Sequence, residues 1–273
     1  MAVACLSPSF RTKRSSRNEN TSIAACQRST LVISRGRDSN ILRAIPEIKS
    51  LEMKDRRRAR ELAAEFNQKG GPTGWFESLY QEAEEGKSIV PWVDLCPSPY
   101  LLGFWKAHPQ PTAGKSALVI GCALGDDAEL LASWGFRVTA FDISETAVRA
   151  ARKRYAKSLV QYRAANLLDP PSDWRRHFDF IFEANTLQVL PAKLRPQAIK
   201  NICSFLGPGG LLLVVARSRE PSEPEGQMPW PLTRDELAAF TALGLREISF
   251  ECIPDINESE VQRFRVLYAS EKR

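Results

Sequence analysis

The sequence predicts an α/β fold: a seven-stranded, mostly parallel sheet with helices on both faces, closing on an antiparallel C-terminal strand pair and preceded by an N-terminal helical cap. Three observations carry this prediction. Past Lys115, short apolar runs alternate with amphipathic stretches of helical length, the pattern of parallel strands joined by crossover helices. The last two runs have no helix-length segment between them and read as an antiparallel pair at the sheet edge. Between Trp75 and Trp105 the chain is aromatic and sparsely charged, as a cap over a ligand would be.

In chain order, residues 1–46 come first, as an extension without a core of its own. Between Met1 and Ile45 eight basic residues stand against two acidic ones, a surplus of six that accounts for the whole net charge of +6. The same stretch is rich in serine and has no continuous apolar run, the composition of a transit peptide, with chloroplast favoured over mitochondrion or a cytoplasmic tail. Everything from Pro46 onward is nearly neutral, which argues against a nucleic-acid surface on the folded part. Residues 47–110 follow as a helical linker and cap. Within them, 47–68 is dense in helix formers but offers only Leu51, Leu62 and Phe66 as large apolar groups, so a mostly solvated helix is expected, ended by Gly70-Gly71-Pro72.

The main domain is assigned to 111–273. Its strands are predicted at Ala117–Ile120, Arg137–Phe141, Val160–Arg163, Phe178–Phe182, Leu211–Val215, Arg246–Cys252 and Arg263–Ala269. Helices are expected over Asp126–Trp134, Glu145–Lys157, Lys193–Leu206 and Thr233–Leu243, the last opening on Thr233-x-x-Glu236, a capping-box pattern. The cluster Gly207-Pro208-Gly209-Gly210 reads as a helix stop. The polar, proline-rich loop Arg217–Trp230 is long enough to form a substrate lid, and Trp230 and Met228 at its end are candidate acceptor contacts.

Composition removes several functions. No stretch approaches the roughly 18 uninterrupted apolar residues that a membrane-spanning helix needs. Six cysteines without CxxC spacing and two histidines, His108 and His177, offer neither a metal site nor a disulfide framework. What is expected is a monomer acting on a small molecule, with no metal, nucleic acid or membrane partner.

The chemistry concentrates at the end of the first strand, where Gly121-Cys122-Ala123-Leu124-Gly125 turns into a helix beginning Asp126-Asp127. Small residues there let backbone amides approach a nucleoside, with Gly121 and Gly125 the strongest candidates. A dinucleotide fingerprint aligned on Gly121 fails twice, at Ala123 and Asp126, and the two aspartates would repel a diphosphate at a helix N-terminus. S-adenosylmethionine has no phosphate and carries positive charge, so the repulsion disappears. Asp142 ends the second strand 21 residues after Gly121, the spacing of an acid that accepts hydrogen bonds from ribose hydroxyls; alternatively it caps the helix starting near Ser144. After the third strand, Asn166 is placed to meet an adenine amino group and Leu167 to pack on the ring, while Glu183 on the fourth strand faces the methionine end or the acceptor.

On these residues the chain resembles class I S-adenosylmethionine-dependent methyltransferases, whose sheet is Rossmann-like, and within them the thiopurine and thiol methyltransferase-like branch. The densest likeness runs from Gly121 to Val148, supported by FDFIFEANTLQVLPAKLR, LGPGG and Pro91-Trp92-x-Asp94. The resemblance implies methyl transfer to a small-molecule acceptor, with Gly121, Cys122, Ala123, Gly125, Asp142, Ile143, Asn166 and Leu167 holding the cofactor and Trp75 and Trp92 closing over it from the cap. Ala123 departs from the family's glycine, and Leu79 and Tyr80 stand where a second tryptophan is usual. A thiolate acceptor would need no strong base; for a hydroxyl or amine acceptor, Glu183 or His177 is the candidate proton acceptor. The competing readings are an O- or N-methyltransferase and, further off, a nicotinamide-dependent dehydrogenase.

Overall fold

The computed structural model describes residues 56–258 and 260–272, all within one compact unit. The extension expected at 1–46 and the start of the linker helix lie outside the described residues. Seven strands form one sheet: β1 Ser116–Ile120, β2 Arg137–Asp142, β3 Gln161–Ala164, β4 Phe178–Ala184, β5 Leu206–Arg217, β6 Arg246–Pro254 and β7 Gln262–Ala269. Their order is β3-β2-β1-β4-β5-β7-β6, parallel from β3 to β5. Strand β7 is antiparallel to both neighbours, so β6 runs with the parallel set and β7 alone is reversed. The order changes direction between β1 and β4, which opens a crevice at the carboxyl ends of those strands.

The helices are α1 over 56–68, α2 Trp75–Glu84, α3 Pro99–Ala107, α4 Asp126–Ser133, α5 Glu145–Arg154, α6 Arg195–Phe205 and α7 Arg234–Ala242. Alternation along the central strands feeds two cores. Leu118, Ile120, Ile181, Leu212 and Val214 pack with Ile199 of α6 and Phe240 of α7. Ala117, Val119, Phe182, Leu213 and Val215 pack on the opposite face with Phe104 of α3, Leu131 of α4 and Val148 of α5. Both faces of the sheet are therefore covered, which is why its strands read as nearly continuous apolar runs. The capping box is present: the Glu236 amide donates to Thr233 Oγ1 at 3.2 Å, and the Thr233 amide to Glu236 Oε2 at 2.8 Å.

Two expectations need correction. Strand β5 starts at Leu206, directly after α6, so the glycine cluster is the first part of a strand. Its glycines are needed for close approach: a Cβ on Gly210 would lie 2.8 Å from the Phe178 carbonyl. Helix α1 is also less solvated than expected. Ala59, Leu62 and Ala63 are buried against Trp75, Leu79 and Met228, so the helix packs through small residues that a search for large apolar groups undervalues.

Candidate functional site

The turn after β1 is shaped by conformations that glycine supplies. Gly121 (φ 63°) and Gly125 (φ 93°) lie in the left-handed region, and Ala123 (φ 47°) joins them with a methyl group. A Cβ on Gly121 would stand 2.5 Å from Thr186 Oγ1, and one on Gly125 would run into the Tyr162 ring. The turn is thus pressed between β3 and the loop after β4, leaving backbone as its free surface. Cys122, by contrast, turns its side chain into the core.

Asp142, at the end of β2, contacts this turn directly. It is buried, with Oδ2 accepting from the Ala123 amide and Oδ1 from the Ser144 amide, each at 3.0 Å. Burial pushes its carboxyl up to about 6 despite the Ser144, Ala123 and Ile143 amides that favour the charged form, and the nearby Glu77 charge pushes the same way as burial. Both sequence readings of Asp142 therefore meet in one geometry, in which it ties the β1 turn to the start of α5. The helix cap itself is Ser144, whose hydroxyl accepts from the Ala147 amide at 3.0 Å.

Asp126 and Asp127 are both engaged by protein groups, and Asp126 is in an ion pair. Asp126 accepts two bonds from Arg154, at 2.7 and 2.8 Å, and one from the Tyr155 hydroxyl at 3.0 Å. Asp127 accepts from the Ser98 amide at 2.7 Å, and burial, helped by Asp126 and Asp94, pushes its carboxyl up to about 7. Beyond β3, Asn166 Oδ1 accepts from the Leu168 amide at 2.9 Å in a tight turn, and Leu167 is buried beside Phe141 and Trp174.

The cap lies over the β2 side of the crevice. Trp75 is buried, stacked on Phe76 at 3.8 Å and edge-on to Trp92 at 5.9 Å. Trp92 Nε1 donates to the Tyr80 hydroxyl at 3.0 Å, and burial, then the Asp142 charge, holds that phenol well above its ordinary range. Tyr80 thus belongs to the site, and its aromatic neighbours Trp75 and Trp92 were the available signal. Glu77, on the same helix, accepts from the Ser144 hydroxyl at 2.6 Å and the Thr146 hydroxyl at 2.7 Å. Nothing in its sequence position marks that role.

On the β4 side, Glu183 is fully buried. Its Oε1 accepts from the Thr186 and Leu187 amides at 2.8 and 3.0 Å, Oε2 has no hydrogen-bond partner among the described residues, and burial pushes the carboxyl up to about 7. The open position expected of a proton acceptor is replaced by one that holds the turn against Gly121. His177 is exposed just before the start of β4, roughly 20 Å from Glu183 along the strand by its rise per residue. The loop expected to form a lid is pinned at its far end. Met228 is buried against the cap, its carbonyl accepts from Arg60 Nε at 2.7 Å, and the Trp230 amide donates to the Gln188 carbonyl at 2.7 Å. Trp230 stays partly exposed, whereas Met228, expected to contact the acceptor, packs on Trp75 and Leu79.

Residues 117–210 match a family model described as a methyltransferase domain. The ubiquinone biosynthesis O-methyltransferase of Xanthomonas axonopodis pv. citri is 33% identical over 128 residues, covering 46% of this chain and 52% of that protein. The thiopurine S-methyltransferase of Vibrio atlanticus is 29% identical over 185 residues, covering 61% of this chain and 84% of the relative. The chain therefore spans about half the length of the ubiquinone-biosynthesis relative and most of the thiopurine one. Among solved structures, the N-methyltransferase NodS of Bradyrhizobium japonicum, crystallised with S-adenosylhomocysteine, superposes with a TM-score of 0.55 at 21% identity, over 71% of this chain and 98% of that one. The fold is the Rossmann-like fold of that methyltransferase.

Proposed function

We propose that this chain, with its methyltransferase domain, is a class I S-adenosylmethionine-dependent enzyme that moves a methyl group to a small-molecule acceptor. The observation that carries the reading is the direct pairing of the small-residue turn Gly121–Gly125 with the buried Asp142 carboxylate at the adjoining ends of β1 and β2. A phosphate-free nucleoside fits that pairing. The β1 turn brings bare backbone to the crevice, Asp142 keeps lone pairs for ribose hydroxyls, and the aspartates of α4 are already engaged by protein groups.

When bound, the cofactor supplies a methyl carbon activated by its sulfonium, so the protein's task is alignment and exclusion of water. Gly121, Ala123, Gly125 and Ile143 hold the nucleoside through backbone, and Asp142 through its carboxylate. Tyr80 and Trp92 shield the crevice from solvent, and Glu183 fixes the turn that separates cofactor from acceptor. A thiol acceptor, as in the thiopurine branch, reacts as its thiolate and needs no base. That branch is supported by the resemblance and by the thiopurine relative, while the ubiquinone-biosynthesis relative supports an oxygen acceptor as the second reading.

Calorimetry with S-adenosylmethionine, S-adenosylhomocysteine and reduced nicotinamide tests the assignment. Binding of the first two with no heat from the third is expected; the reverse would restore the dehydrogenase. For residues 1–46 we propose a chloroplast-targeting role, resting on their basic, serine-rich composition. A fluorescent protein fused behind them should collect in plastids, and a diffuse or mitochondrial signal would overturn it.

A further inference from the structure

Past the turn fixed by Glu183, the carboxyl end of β5, the amino end of the reversed strand β7 and the helix α1 bring together arginines from distant parts of the chain. Arg217 at the end of β5 donates to Glu258, which also accepts from Arg56 at 2.7 Å. Arg263 of β7 donates to Asp255 at 2.5 Å and to Asn185 Oδ1 at 2.7 Å. Each of these has an acidic partner. Arg60 does not: its Nε is spent on the Met228 carbonyl at 2.7 Å, and no carboxylate faces its outer nitrogens among the described residues. It is half-buried, and burial, then the charges of Arg56 and Arg217, hold its guanidinium below the usual range.

A partly desolvated cation beside two others is unfavourable unless something negative joins them. Nε is anchored, so the two outer nitrogens are left as a planar fork, the geometry that grips a carboxylate or phosphate through paired hydrogen bonds. The location fits an acceptor. The Arg217 amide donates to Gln188 Oε1 at 2.7 Å, and Gln188 belongs to the turn after Thr186, whose hydroxyl bounds Gly121. One face of that turn meets the nucleoside cradle and the other meets the arginines. Strands β1 and β5 are separated only by β4, about 10 Å at normal strand spacing, a gap that one ring and its substituent can span.

We infer that the methyl acceptor carries an acidic oxygen group, a carboxylate or a phosphate ester, and that the outer nitrogens of Arg60 bind it, beside the Arg217–Glu258 pair. This deepens the proposed function by naming the acceptor class, and its test separates the two ideas. The full chain, saturated with S-adenosylhomocysteine, is titrated by NMR of the small molecule with benzoate, phenyl phosphate and the neutral isostere benzamide. At least one anion should bind about tenfold more tightly than benzamide, the scale of a charge-assisted paired contact, and the preference should weaken as salt rises. Arg60→Gln should abolish the preference while S-adenosylhomocysteine affinity and melting temperature stay near wild type, and Arg60→Lys should restore part of it.

Equal binding of the anions and benzamide, a preference that survives Arg60→Gln, or no anion binding at millimolar concentration overturns the inference. Repeating the titration without nucleoside shows which idea has failed. Loss of S-adenosylhomocysteine binding with the anion preference intact removes the methyltransferase reading and leaves the anion site, whereas the opposite result removes the anion site alone.

Discussion

The two sides of the crevice are built in opposite ways. On the β1–β2 side the ligand surface is backbone plus one carboxylate, drawn from the 22 residues between Gly121 and Asp142. On the β4–β5–β7 side it is a long charged side chain, Arg60, anchored on the Met228 carbonyl beside the ion pairs Arg217–Glu258 and Arg263–Asp255, from segments far apart in the chain. A surface of main-chain amides suits a ligand that never changes. A surface of side chains suits one that can be exchanged by substitution without disturbing the strands, so the acceptor side is where specificity can be altered at least cost to the fold.

The sharpest way to break this division is at Asp142. Asp142→Asn should weaken S-adenosylmethionine binding by about 100-fold, since charge-assisted bonds to the ribose are replaced by at best one neutral acceptor. Anion binding on the far side should be unchanged. Because the carboxyl is raised to about 6, nucleoside affinity in the wild type should fall as pH drops through that value, a slope the asparagine variant lacks. Equal calorimetric affinities of wild type and variant at pH 8 would dissolve the contrast between the two halves.

Glu183, on the boundary between them, separates structure from catalysis. Its carboxyl, raised from 4.5 to about 7, binds a proton more readily folded than unfolded, so the wild type should lose stability as pH rises from about 4.5 to 7. Glu183→Gln should escape that loss and be more stable at pH 8 by about 1 to 3 kcal/mol, vanishing near pH 4.5, with methyl transfer retained. Denaturant melts at the two pH values check this, and a hundredfold drop in transfer with stability unchanged would return Glu183 to the role of proton acceptor. The smallest effect is expected at Trp230, half-exposed at the lid's end with the Arg195 guanidinium 5.9 Å from its ring centre. Trp230→Ala should raise the acceptor KM by about fivefold, in keeping with loss of one aromatic contact, and leave nucleoside affinity untouched; a steady-state KM equal to wild type would take Trp230 out of the acceptor wall.

The same contrast explains what could be read in advance. The strands, their order of appearance and the Gly121–Asp142 pairing are local: an apolar period, glycines at positive φ and an acid at fixed spacing stand in one stretch of chain. The extra length of β5 was not legible, because Gly207–Gly210 carries the composition of a turn and only the nearby Phe178 carbonyl reveals why glycine is needed. Nor was the burial of α1, since Ala59 and Ala63 look neutral until Trp75 and Met228 are set against them. Arg60, Arg217 and Arg263 share no spacing or motif, and only folding makes them neighbours.

The hydrogen bonds of Glu77 have one more consequence. Burial works against its charge, yet the Ser144 and Thr146 donors hold its carboxyl below the usual range, so an ionised side chain of α2 rests on the positive end of α5. Lifting the cap would strip that helix of its counter-charge at the very place where Asp142 leaves the strand. A single carboxylate thus joins the cap to the first turn of α5, and its removal would loosen both.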